Sequence, residues 1–152
     1  MKDQKTPQSD IRELYNEKGP IGYWVKRTND VFTNLNRKTP DHGSFNRVEW
    51  QLLSTIHEKA HLTTPEVIAF LSFFTTESEI QKVIRRFETE SLIKISRENI
   101  TITEKGEQVY EEVLEIQEEI LQKAMYKISA EEYKTTINTL QKIIENLKDY
   151  TA

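Results

Sequence analysis

The chain contains no cysteine, which excludes disulfides, thiolate nucleophiles, cysteine-ligated zinc and thiol-based redox sensing together. Glycine and proline are scarce at four each, so little interrupts helices and no glycine-rich phosphate loop can be assembled. No apolar run approaches the ~20 residues that span a bilayer. The opening MKDQKTPQSD also lacks the apolar core of a signal peptide. The expected location is cytoplasmic, with no membrane partner. No paired-carboxylate cleft stands out, and no nucleophile lies at readable spacing from a base, so neither an enzyme nor a cofactor is expected.

What is present is helical in character. A length of 152 residues suits one domain. The 36% hydrophobic and 30% charged content favours long amphipathic helices with solvated outer faces. The net charge of -4 conceals an asymmetry: from Glu104 onward eleven acidic residues face six lysines, a balance of -5, which leaves +1 for residues 1–103. Residues 21–50 set Lys26, Arg27, Arg37, Lys38 and Arg47 against Asp30, Asp41 and Glu49. Such a surface bears on partners, since basic patches attract polyanions.

Residues 1–20 read as a polar arm with a short helical stretch at SDIRELYNEK, closed by Gly19-Pro20. Ile21, Trp24, Val25, Thr28, Val31, Phe32 and Leu35 recur at helical spacing, predicting a helix over 21–38 with one buried face. The loop TPDHGSFN follows. A second helix, NRVEWQLLSTIHEK, turns Val48, Leu52, Leu53 and Ile56 inward. A short third follows in TTPEVIAFL, with threonine caps and Pro65 in its first turn. In TTESEIQKVIRRFETESL, Thr76 and Glu79 fit a capping box, and Ile80, Val83, Ile84 and Phe87 form an apolar stripe. The period then falls to two in LIKISRENITIT, predicting a hairpin about the polar turn SREN. Two long helices close the chain, the second opened by Ser129 and Glu132.

Three helices, the last running straight into a β-hairpin, with long helices on both flanks, is the order of a winged helix-turn-helix. Residues 21–150 resemble the MarR-type transcriptional regulators. The resemblance is carried by VEWQLLSTI, TTPEVIAFL, SEIQKVIRRFETESLI and, above all, ITEKGEQVYEEV, which is similar to the family's Leu-Thr-x-x-Gly followed by a glutamate-rich helix. It implies a mainly α fold: a winged helix-turn-helix with a short two-stranded wing, flanked by N- and C-terminal dimerisation helices. The implied division is an arm over 1–20 and a single domain over 21–152. Within that domain 21–45 and 104–152 are dimerisation helices, and 46–103 is the DNA-binding lobe. The implied activity is sequence-specific transcriptional regulation by a homodimer on double-stranded DNA. The alternative is a winged-helix module with weakened DNA recognition that acts through protein contacts.

The resemblance places the DNA contacts at Ser78, Gln81, Lys82, Arg85 and Arg86 on the helix after Thr76, and at Lys94 and Arg97 in the hairpin. Glu77 and Glu79 stand where relatives carry small, polar or basic residues, the wing is short, and Ser91 replaces the usual glycine after the recognition helix. DNA is therefore expected to be held mainly by that helix, with salt-sensitive affinity. MarR-like proteins respond to small aromatic or amphipathic effectors, and Tyr23, Trp24, Trp50, Phe70 and Phe74 are the aromatics that would line such a pocket.

One motif points elsewhere. HEKAH at 57–61 fits the His-Glu-x-x-His pattern of zinc peptidases, in which two histidines on one helix face share a metal. The register implied by the resemblance puts His57 and Glu58 in the last turn of a helix, and Ala60 and His61 in the following loop. With His42 as the only other histidine, no metal site is assigned.

Overall fold

The computed structural model describes residues 7–35 and 37–150; the first six residues of the expected arm lie outside them. The rest of that arm is a regular helix, α1 (Pro7–Lys18), with Asp10 in its first turn and Lys18 in its last. This charge order suits the helix dipole. The helical stretch expected at SDIRELYNEK is thus present and begins two residues earlier, at Pro7.

Helix α2 (Ile21–Thr33) stops five residues short of the expected end. Asn34 caps it by giving its amide to the Asp30 carbonyl. Strands β1 (Arg37–Thr39) and β2 (Gly43–Phe45) then pair antiparallel where helix and loop were expected. Gly43, at φ 78°, supplies the left-handed residue of the turn, and Thr39 Oγ1 accepts from the His42 amide at 3.1 Å. Three-residue strands are too short for alternation to reveal. Their inward side chains are Arg37, Thr39 and Phe45, and the Phe45 ring lies 6.0 Å from Phe87. The segment after Thr33 thus packs against the helix that carries Phe87, where the periodicity predicts the end of a dimerisation helix.

The helix-turn-helix follows as α3 (Arg47–Glu58), α4 (Thr64–Leu71) and α5 (Glu77–Thr89). Reciprocal capping boxes open α3 at Asn46/Glu49 and α4 at Thr63/Glu66. At α5, Thr76 accepts from the Glu79 amide, while the Glu79 carboxylate turns to Lys82. Between α3 and α4, strand β3 (Leu62–Thr63) joins β4 (Ile93–Ser96) and β5 (Asn99–Ile102) in a sheet of order β3-β5-β4. The core is Leu52, Leu53, Ile56, Val67, Leu71, Ile80, Ile84, Phe87, Leu92, Ile93 and Ile100, closed by Val109 and Val113 of α6 (Glu104–Ala124). Each such side chain contributes roughly 1.5–3 kcal/mol by leaving water.

Two compact units divide within α6, one ending at Val113 and one running from Leu114. The second unit holds the rest of α6, then α7 (Ala130–Leu147) and a short 3-10 turn at Lys148–Tyr150. Ser129 and Glu132 form the expected capping box. No residue of α7 is buried, and Tyr133, Ile137, Ile144 and Leu147 lie exposed along it. The apolar side of α2 is likewise uncovered: Ile21, Trp24, Val25 and Val31 are each about half exposed. The spacing of that stripe was legible, but the burial expected for it does not occur within one chain. Among the described residues no helix is long and apolar enough to cross a membrane.

Candidate nucleic-acid interface

Helix α5 is positioned by its buried stripe. Ile80, Val83, Ile84 and Phe87 anchor one side, so at 100° per residue Ser78, Lys82, Arg85 and Thr89 fall on the opposite side, with Gln81 beside them. Ser78, Lys82, Arg85 and Thr89 are exposed and Gln81 is partly so. Much of this polar surface is tied within the helix. Gln81 Nε2 donates to Glu77 Oε1 at 2.9 Å, and Lys82 Nζ donates to Glu79 Oε1 at 2.6 Å. Arg85 has no side-chain partner among the described residues and is the free cation of the face.

Arg86 is engaged inside the protein. Its Nη1 donates to Glu49 Oε1, its Nε donates to Glu90 Oε1 at 2.8 Å, and its guanidinium sits 5.7 Å from the Phe45 ring centre. Partial burial acts to lower its pKa, but the hydrogen bonds and charges of Glu90 and Glu49 outweigh that and hold it above the ordinary arginine value. Arg86 therefore fastens α5 to α3. The sequence signal missed was Glu49 itself, a buried carboxylate whose Oε2 already accepts from the Asn46 amide at 2.9 Å.

The connection from α5 to the wing depends on one residue in an unfavourable conformation. Ser91 has φ 60°. The Leu92 amide reaches back to the Phe87 carbonyl at 2.8 Å and the Ser91 amide to the Glu88 carbonyl at 3.0 Å, the paired bonds of a Schellman motif. The wing then leans on the start of α6. Thr103 Oγ1 accepts from the Gly106 amide at 3.0 Å and donates to the Ser91 carbonyl at 2.7 Å. A Cβ on Gly106 would stand 2.1 Å from the Leu92 carbonyl oxygen. The Thr-x-x-Gly pattern is thus a cap combined with a close backbone approach.

In the wing, Ser96 pairs with Asn99, leaving Arg97 and Glu98 as a two-residue turn at φ 48° and 68°. This is the mirror-image turn that suits a hairpin's twist. The Thr64 amide donates to the Glu98 carbonyl at 3.0 Å, tying the tip to the start of α4. Arg97 and Lys94 are exposed, with no side-chain partner among the described residues.

The five aromatics expected to line an effector pocket lie in different surroundings. Trp50 is buried and stacks on Tyr110 at 5.4 Å. Tyr23 and Trp24 meet edge to face on α2, both half exposed. Phe70 lies half exposed under Lys59 Nζ at 5.6 Å, and Phe74 under the Arg47 guanidinium at 5.2 Å. An open depression of about 680 Å³ runs along α2 and is lined by Tyr23, Lys26, Arg27, Asp30, Val31 and Asn34. Of the five aromatics only Tyr23 borders it.

The histidines are separated. Helix α3 ends at Glu58, so His57 lies in its last turn and His61 beyond it. His57 Nδ1 is 2.7 Å from Glu107 Oε2, and its ring stacks on Tyr110 at 3.7 Å. His42 Nε2 lies 3.8 Å from Glu112 Oε1. Among the described residues no group of three or more His, Asp or Glu side chains converges as a metal site.

No family model matches the sequence, and no curated protein matches it either. Solved structures do. A MarR family transcriptional regulator from Silicibacter pomeroyi superposes with TM-score 0.70 at 14% identity, covering 94% of this chain and 99% of that one. A mutant MarR from E. coli in complex with operator DNA gives 0.69 at 18%, covering 86% and 98%. Bordetella bronchiseptica BpsR, whose DNA binding is regulated by 6-hydroxynicotinic acid, gives 0.67 at 17%, covering 83% and 94%. The order α3–α4–α5–β4–β5, the sheet order β3-β5-β4 and near-full coverage of these structures agree, and the chain has the winged helix-turn-helix fold of the MarR-type transcriptional regulators.

Proposed function

We propose that the chain is a sequence-specific regulator of transcription that binds double-stranded DNA as a homodimer. The observation that carries this is α5, held by a buried stripe so that Ser78, Gln81, Lys82 and Arg85 project together, in the place where a helix-turn-helix presents its second helix to a major groove. Arg97 and Lys94 supply cations for a flanking phosphate or minor groove. Residues 46–103 act as the DNA-binding lobe. The uncovered apolar faces of α2 and α7 support association with a second copy, because large exposed apolar strips mark interaction surfaces. Affinity is modest and salt-sensitive: α5 carries Glu77, Glu79 and Glu88 against Lys82, Arg85 and Arg86, so its net attraction for phosphate is small. The depression beside Tyr23 is where a small aromatic or amphipathic effector would first be sought.

A second reading, a winged-helix module acting through protein contacts, draws support from Phe73. This residue is 88% exposed in the turn before α5, and Phe70, in the last turn of α4, is half exposed. The deciding experiment is a gel shift at low salt on the DNA upstream of the protein's own coding region, with the chain and with Arg85→Ala/Arg97→Ala. Retarded DNA that the double substitution releases supports the regulator. No retardation, with regulatory activity kept by the variant, supports the protein-contact module.

A further inference from the structure

We infer that Glu77, with Gln81 held against it, is a specificity-determining pair that selects an amino-bearing base, cytosine foremost, in each half-site. The inference rests on the proposed binding of duplex DNA by α5 and adds what that helix reads. Glu77 is the first residue of α5 and is exposed, and the N-terminal residues of a recognition helix are those that reach base edges. A carboxylate there is a liability for general DNA affinity, because it repels phosphate.

Glu79 has other work, since its amide bonds the Thr76 hydroxyl and its carboxylate bonds Lys82. Among the described residues Glu77 has no side-chain partner beyond Gln81. The 2.9 Å bond uses one Glu77 oxygen and one Gln81 N–H. That leaves the second carboxylate oxygen and the Gln81 carbonyl as acceptors, with the remaining Gln81 N–H as a donor. The free Glu77 oxygen can accept the one N4 hydrogen that a paired cytosine turns to the major groove. It repels the N7 and O6 acceptors of guanine and the O4 of thymine; adenine, with its N6 amino group, is the tolerated second choice. Discrimination is therefore built partly from repulsion of the wrong bases. Lys82 and Arg85 on the adjoining side of the helix supply the attraction that brings the carboxylate into the groove.

The test is selection from a random duplex library at low salt, run in parallel with the unmodified chain, Glu77→Ala and Glu88→Ala, followed by affinity measurements on the selected duplex and on an unrelated one. The unmodified chain should enrich cytosine at one symmetric position of each half-site. Replacing that base with guanine should weaken binding about tenfold or more, the usual cost of one wrong base pair in a recognition site. Glu77→Ala should lose the preference at that position and bind the unrelated duplex more tightly. Glu88→Ala, which removes an exposed carboxylate further along the helix, should tighten binding to both duplexes and leave the motif unchanged. An identical motif from Glu77→Ala and the unmodified chain overturns the pair's role while leaving DNA binding intact. Failure of the unmodified chain to enrich any duplex overturns the regulator reading and this inference with it.

Discussion

Gly22 and Gly106 both lie in the first turn of a helix, yet alanine should act in opposite directions at the two. In a helix interior Gly→Ala stabilises by about 1 kcal/mol through backbone entropy, so a first turn should gain roughly half of that. Around Gly22 an added Cβ meets nothing within 4 Å; Gly22→Ala should raise stability by about 0.5 kcal/mol. At Gly106 the same Cβ would lie 2.1 Å from the Leu92 carbonyl oxygen and 2.7 Å from Ile102 Cγ1. The Leu92 carbonyl cannot swing aside without loss, because it accepts from the Thr103 amide at 3.0 Å. Either α6 or the start of the wing must move, and overpacking of that kind costs about 1–3 kcal/mol. Subtracting the helix gain leaves Gly106→Ala less stable by about 1.5 kcal/mol. Urea unfolding followed by circular dichroism, at one fixed protein concentration, reads both changes, and DNA affinity should fall with Gly106→Ala because the wing is displaced. A Gly106→Ala protein as stable as the unmodified chain would refute the close approach.

Other substitutions probe the same region. Ser91→Gly relieves the positive φ of the Schellman turn and should stabilise by about 1 kcal/mol in the same unfolding assay. Glu98→Gly at the wing tip, also at positive φ, should add a similar ~1 kcal/mol and leave DNA binding through Arg97 intact. Arg86→Ala strands the buried Glu49 carboxylate. Breaking a buried pair costs about 3–5 kcal/mol, and discounting for the partial exposure of Arg86 gives about 2 kcal/mol. Acid should loosen the helix starts. Bonds from the Thr63 and Ser129 backbones, then from their hydroxyls, hold the Glu66 and Glu132 carboxyls below their ordinary pKa. A depressed carboxyl gives stability that is present above its unfolded pKa and lost as pH falls through the folded one. Melting temperature should therefore decline below the ordinary carboxylate range, and less so in Thr63→Ala/Ser129→Ala, whose carboxyls have lost those hydroxyl bonds.

The helix-turn-helix was legible in the sequence because its signals are local and strong. The four-residue stripe of α5, the caps at Thr63, Thr76 and Ser129, and the period-two Ile93/Ile95 and Ile100/Ile102 each record a regular element against a core. What escaped was short or made by distant residues. Three-residue strands at Arg37–Thr39 and Gly43–Phe45 carry no measurable period. Pairing of Arg86 with Glu49 spans 37 positions; helical spacing turns Arg86 to the side of the polar face but does not name its partner. Stacking of His57 on Tyr110 is equally non-local, as is the scatter of the five aromatics. On α2 the amphipathic spacing was legible, but what covers that face was not, since one chain leaves it exposed and periodicity says nothing about which chain covers an apolar face.

The most direct test of the central claim is the salt dependence of duplex binding, followed by fluorescence anisotropy on the selected duplex for the unmodified chain, Arg85→Ala and Arg97→Ala. Cations that contact phosphate release counterions, so log affinity should fall linearly with log salt, and each substitution should flatten that slope by about one per protomer. An unmodified chain that fails to bind at low salt, or variants with an unchanged slope and affinity, would contradict the assignment of α5 and the wing as a DNA-binding surface.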